Sequence, residues 1–174
     1  MSNILPFAKI LKNNFPITLS GVPEGYEAMI LVDIARQAST SIGTAPLLHI
    51  ATDDQMMETL ANSIKFFGSD VDVLTFPAWD CLPYDRTSPK SQIIAERLTT
   101  LCKISDLKCL NKPTIILTTA NATLQKVPTK ISLDDAYFRI RTGEELNEKE
   151  MISYLNKNGY IRTGQVMEPG EFAQ

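Results

Sequence analysis

The chain has little from which to build a chemical centre. Its 174 residues include one histidine, one tryptophan and three cysteines. Cys81, Cys102 and Cys109 form no C-x-x-C pair, and an odd number closes no complete set of disulfides. Free thiols in a reducing compartment follow, which points to the cytoplasm. His49 stands alone in the apolar run Pro46–Thr52, without a second ligand cluster, so it reads as a buried structural histidine and no metal is expected. Positive charge is not in excess: 17 Lys and Arg face 20 Asp and Glu, a net charge of −3. No global basic field is available to hold nucleic acid. Long apolar runs are also missing. The opening MSNILPFAKILKNN places Ile4, Leu5, Phe7, Ala8, Ile10 and Leu11 at helical spacing. It is too short and too lysine-interrupted for a signal peptide or a membrane span, and reads as a small amphipathic helix.

What is present is an ordinary globular composition, 44% hydrophobic and 21% charged, long enough for one cored domain with or without a small second one. Strand and helix signals alternate. Pro16–Ser20 reads as a strand and Gly25 to Thr40 as a helix. Pro46–Thr52 reads as a strand buried on both faces. The helix DDQMMETLANSIKFFG follows, capped by Thr52, Asp53 or Asp54 and stopped at Gly68. Val71–Phe76 is a third strand. After the loop Pro77–Lys90 a helix begins, with Ser88 as N-cap and Pro89 at its first position. Thr114–Thr118 is a fourth strand. This alternation predicts an α/β fold, a parallel sheet with flanking helices.

Near residue 127 the pattern changes. Tyr137–Arg141 alternates as a half-exposed strand does. Asn147 and Glu150 form a capping-box-like start to a short helix that ends at Gly159. Ile161–Gln174 reads as strand, turn, strand. The expected domains are therefore 1–126 and the start of a small α+β domain at 127–174, in a fragment of a longer chain.

The turn between the first strand and helix is where a phosphate-binding loop belongs. Setting G-x-x-x-x-G-K-[ST] on Gly21 puts its second glycine on Tyr26, its lysine on Glu27 and its hydroxyl on Ala28. Each change acts against nucleotide: a large side chain, a reversed charge, and no ligand for Mg²⁺. Gly25 does not restore the pattern. Glu24 and Glu27 instead suit the positive end of the helix dipole. Two readings stand at this point: an ordinary Gly-Pro turn with an acidic helix start, or a degenerate nucleotide site.

The run FPAWDCLPYDRTSPKSQIIAERLTTL (Phe76–Leu101), with TTANATLQKVP and GEELNEKEMISYLNKNGYIRTGQVMEPGEFAQ, closely resembles the amino-terminal part of bacterial transcription-repair coupling factors. The resemblance runs from Gly21 to the last residue. It implies a helicase-like first domain with a degenerate P-loop and no cofactor, similar to the repair protein UvrB. It also implies a small second domain that contacts the repair protein UvrA. ATP hydrolysis, DNA translocation and RNA polymerase binding would belong to downstream domains, and the chain would also meet other domains of the full-length protein.

The resemblance places the partner-contacting surface on the small domain, with Arg162, Glu171 and Phe172 as its members; Phe172 reads equally as a core residue. Arg139 and Arg141, two apart on one strand face, are further candidates for an acidic partner or simply a solvated face. The loop Pro77–Lys90 is nearly neutral, so Trp79 and Leu82 read as plugs on the domain surface rather than a stacking platform for DNA. Arg97 could contact DNA, but reads rather as a packed arginine paired with a carboxylate. No Ser/His/Asp set, ligand cluster or intact phosphate loop supports catalysis. The leading expectation is a non-catalytic adaptor. The alternatives are a UvrB-type DNA-binding module and an ATPase with an unusual loop.

Overall fold

The computed structural model describes residues 15–23, 25–41, 45–82, 86–105, 110–136, 140 and 142–173. In chain order the elements are α1 (Tyr26–Ser41), β1 (Leu47–Ala51), α2 (Asp54–Phe67), β2 (Asp72–Phe76), α3 (Ser91–Ser105), β3 (Thr114–Thr119), α4 (Ala120–Thr123), α5 (Lys130–Ala136), α6 (Glu148–Lys157), β4 (Ile161–Arg162) and β5 (Glu171–Phe172). They fall into two compact units. One is Met1–Ala78 with Asp106–Lys126; the other is Trp79–Ser105 with Val127–Gln174.

The first unit is α/β. Its three strands are parallel in the order β1-β3-β2, with Leu48 and Leu74 both in register with Ile116. β3 is buried along its whole length, as its unbroken apolar and threonine run predicts for a central strand. The α2 turns are fixed by local chemistry: Asp53 accepts from Met56 N at 2.7 Å, and Gly68 N donates to Ile64 O at 2.8 Å. Ile115, Leu117 and Ala51 meet Ala28, Val32 and Ala35 of α1 and Leu60, Ala61 and Ile64 of α2 in one core. Ile64, Ile115 and Leu117 are fully buried, and such burial contributes about 1.5–3 kcal/mol per side chain relative to exposure. Thr118 Oγ1 donates to Phe76 O at 2.9 Å, so a hydroxyl in the sheet interior is satisfied. On the edge strand β1, Leu48 and Ile50 remain half exposed.

The stretch Pro16–Ser20 is not a strand. Each of its residues is exposed and none joins the sheet ladder. A strand is stabilised by its partners, and the alternation of Ile17 and Leu19 supplies a pattern without one.

In the second unit, α3 starts at Ser91, later than Ser88 and Pro89 suggest. Its first bond runs from Ile94 N to Lys90 O at 3.1 Å, while Asp80 Oδ1 accepts from Lys90 N at 3.2 Å. A carboxylate from the preceding loop thus takes the place of the serine cap. α5 precedes the stretch expected as a strand; Thr129 Oγ1 accepts from Ser132 N at 3.3 Å at its start, and Leu133 is buried. Of the expected strand Tyr137–Arg141, residues 137–139 and 141 lie outside the described residues. α6 begins where Asn147 Oδ1 accepts from Lys149 N at 3.1 Å and Glu150 N at 3.4 Å. β4 and β5 pair in parallel, Ile161 with Glu171 and Arg162 with Phe172. Their connection is therefore a crossing loop and not a hairpin turn.

Candidate functional site

The loop that enters α1 is shaped by two glycines in the left-handed region, Gly21 at φ 71° and Gly25 at φ 80°. Tyr26 N donates to Pro23 O at 3.1 Å and closes the turn. Tyr26 then opens the helix with its side chain partly exposed. Glu27 occupies the first turn, and its Oε1 lies 3.6 Å from His49 Nε2 on β1. Burial holds the His49 imidazole below its ordinary pKa, with Glu27 pulling the other way. His49 is half-buried and faces a carboxylate; its run alone suggests full burial. Ala28 is fully buried among the core residues. The position that a magnesium-binding hydroxyl would occupy in the loop pattern thus points into packed hydrocarbon.

Beside the loop runs an open groove of about 730 Å³. Leu19 and Val22 wall it from the loop, Ile30 and Ile34 from α1, and Met56 and Leu60 from α2. Among the described residues of the lining, Glu27 is the charged one. Thr59 and Ser63 also line it, but each hydroxyl donates at 2.9 Å to its own helix backbone, four residues back. The groove therefore offers apolar surface and one carboxylate, a poor match for phosphate and a good one for an apolar body with a positive end. Sequence reasoning misses it. The available signal is the pairing of Ile30 with Ile34 and of Met56 with Leu60, each four apart on a helix.

In the second unit the Arg97 guanidinium lies 4.1 Å from the centre of the Trp79 ring. Arg97 is almost fully buried, and desolvation lowers its pKa from the ordinary arginine value. Trp79 is half-buried, whereas Leu82, expected to plug the surface with it, is 74% exposed. Asp80 adds a weak ion pair to Lys90 Nζ at 3.8 Å.

The small sheet brings three expected partner residues together. Arg162 is exposed and in register with Phe172, and Glu171 is its neighbour. The Glu171 carboxylate is engaged within its own loop, where Oε2 accepts from Met167 N at 2.7 Å and from Glu168 N at 3.1 Å. Phe172 is buried, in keeping with the core reading. Arg139 and Arg141 lie outside the described residues. Among the described residues no group of three His, Cys, Asp or Glu side chains could hold a metal, and no helix is long and apolar enough to cross a membrane.

Known proteins decide what this arrangement is related to. A transcription-repair-coupling factor of Escherichia coli (strain K12) is 30% identical over 128 residues, 74% of this chain and 11% of that protein. This chain is a relative of the transcription-repair coupling factors. The Haemophilus influenzae coupling factor is 28% identical over 155 residues, 89% of this chain and 13% of its own length. The Borreliella burgdorferi coupling factor is 23% identical over 171 residues, 98% of this chain and 14% of its own length. The chain thus spans about 11–14% of the length of these coupling factors. No protein-family model matches the chain.

Proposed function

We propose that this chain is the non-catalytic adaptor region of a transcription-repair coupling factor, acting in the cytoplasm. On this reading it recruits UvrA to a stalled RNA polymerase and regulates the full-length translocase. Its first domain is helicase-like with a degenerate nucleotide loop, and a small UvrA-binding domain begins near residue 127. RNA polymerase and DNA are met through other domains of the whole protein. The observation that carries the reading is similarity to coupling factors along up to 98% of the chain. The loop supports the non-catalytic part: Glu27 faces His49, and Ala28 lies in the core.

The test is capture of purified UvrA by the immobilised chain. Binding that resists physiological salt and weakens on Arg162→Glu is expected. No retention of UvrA at micromolar concentration overturns the recruitment role. Salt-sensitive DNA binding at sub-micromolar concentration would favour a UvrB-type module instead.

A further inference from the structure

The adaptor reading leaves the groove between the entry loop, α1 and α2 without a use. Its walls come from three separate segments, and Leu19, Val22 and Met56 on them are each more than a third exposed. At about 730 Å³ it falls within the range of small-ligand sites, roughly 300–1,000 Å³. Contiguous exposed apolar surface of this kind marks binding.

The polar groups of the lining select the ligand. The Thr59 and Ser63 hydroxyls each spend their hydrogen on the backbone of α2, at 2.9 Å, so their oxygens are left as acceptors. Glu27 adds a carboxylate, which when ionised only accepts. Among the described lining residues there is no lysine, arginine or histidine. The lining side chains thus offer acceptors without a spare donor. A phosphate or carboxylate finds no partner among them, whereas a primary ammonium, with three donors and no acceptor, is their complement.

The Glu27 carboxylate is open to such a partner. Its side chain is 47% exposed, and His49 Nε2 lies 3.6 Å away, beyond a good hydrogen bond. Burial lowers the His49 pKa, so at about pH 7.5 the imidazole is neutral and does not answer the charge. Glu27 also stands in the first turn of α1. The positive end of a helix dipole is worth about half a charge, less than the carboxylate placed on it.

We propose that this groove binds a small organic amine, its ammonium on Glu27 and its apolar body between Leu19, Ile34, Met56 and Leu60. The ammonium makes charge-assisted hydrogen bonds at one end, and the body covers hydrocarbon that water now meets. Because the walls come from the loop and from both helices, a bound amine ties these three segments together. Occupancy therefore raises the unfolding temperature of the chain.

The test titrates the 174-residue chain, carrying isotope-labelled methionine methyls, with phenylbutylamine at about pH 7.5. Phenylbutanol and phenylbutyrate serve as the neutral and anionic counterparts. The Met56 methyl reports on the groove, and Met167, in the second unit, is the control. The amine is expected to move the Met56 signal with a dissociation constant of about 1 mM or tighter, at least about tenfold below that of the alcohol, with the carboxylate weakest. Glu27→Gln keeps the size of the side chain and should bring the amine to the level of the alcohol. Leu19→Ser, at an exposed position, should weaken amine and alcohol alike by at least about threefold. No movement of the Met56 signal up to about 10 mM amine overturns the proposal, as does equal or tighter binding of the alcohol or the carboxylate by the parent chain. A preference for the amine that survives in folded Glu27→Gln also overturns it, because the cation then sits elsewhere. If Glu27→Gln fails to fold, Leu19→Ser decides, and unchanged amine affinity there overturns the proposal.

Discussion

Gly68 lies against Val32: a Cβ on the glycine would fall 2.8 Å from Val32 Cγ2 and 3.0 Å from its Cγ1. The glycine backbone, at φ −134°, is not left-handed. Its role is close approach between the end of α2 and the middle of α1. Val32 is almost fully buried and β-branched, so it has little freedom to turn aside. Gly68→Ala should therefore destabilise the chain by about 1–3 kcal/mol through overpacking. Urea unfolding checks this. The same change should cost less in a Val32→Ala background, and equal costs in the two backgrounds would show that the contact is not the cause.

The guanidinium of Arg97 on the Trp79 ring gives a built-in reporter, because Trp79 is the single tryptophan of the chain. Arg97→Lys keeps a charge but loses the flat stack, and should cost roughly 0.5–2 kcal/mol. Tryptophan emission should shift to the red in the folded variant as water reaches the ring. An unchanged spectrum together with unchanged stability would place the ring elsewhere.

Nucleotide should not bind. Titration of the chain with Mg-ATP in a calorimeter is expected to show no heat of binding. Glu27→Lys/Ala28→Ser is expected not to create a site, because position 28 is buried in the core and Tyr26 still replaces the glycine. The buried hydroxyl should instead lower stability by about 1–3 kcal/mol where it finds no partner. A micromolar dissociation constant in the parent contradicts the non-catalytic reading; one in the variant alone shows that Tyr26 and the buried position 28 do not block the site.

His49 makes stability depend on mildly acidic pH. Burial lowers its pKa in the folded chain, so the unfolded chain binds the proton more readily. Its contribution is complete above about pH 6.5, the ordinary histidine value, and is lost as pH falls from there through the folded value. Urea midpoints at about pH 7.5 and about pH 5.5 should differ more for the parent than for His49→Gln. Equal differences would show that other groups carry the dependence.

The parts readable from sequence are those whose causes are local. β3 follows from an apolar run, α2 from the Asp53 cap and a following helical stripe, and α6 from Asn147. What escapes depends on partners distant in the chain. Pro16–Ser20 has the alternation of a strand but joins no ladder. The start of α3 is set by Asp80, ten positions before Lys90. Gly68 is readable as a helix stop, but its contact with Val32 exists only once α1 and α2 share a core. The groove is hidden for the same reason, since no window of sequence contains both Ile34 and Met56 side by side. Glu171 reads as an exposed partner residue in sequence, yet backbone amides of its own loop claim its carboxylate; for Phe172 the sequence leaves surface and core open, and burial decides for the core.

The order β1-β3-β2 has a consequence for synthesis on the ribosome. The strand that joins the other two is made last, ending at Thr119. Both outer strands must emerge and wait, because neither is the other's neighbour in the finished sheet. At roughly 5–20 residues per second, translation from Phe76 to Thr119 takes about 2–9 s. During that interval Leu74 and Phe76, later buried, have no sheet to join. A nascent chain paused in this window is the form most exposed to chaperones and to misassociation, and slowing translation between these two residues should lower the soluble yield.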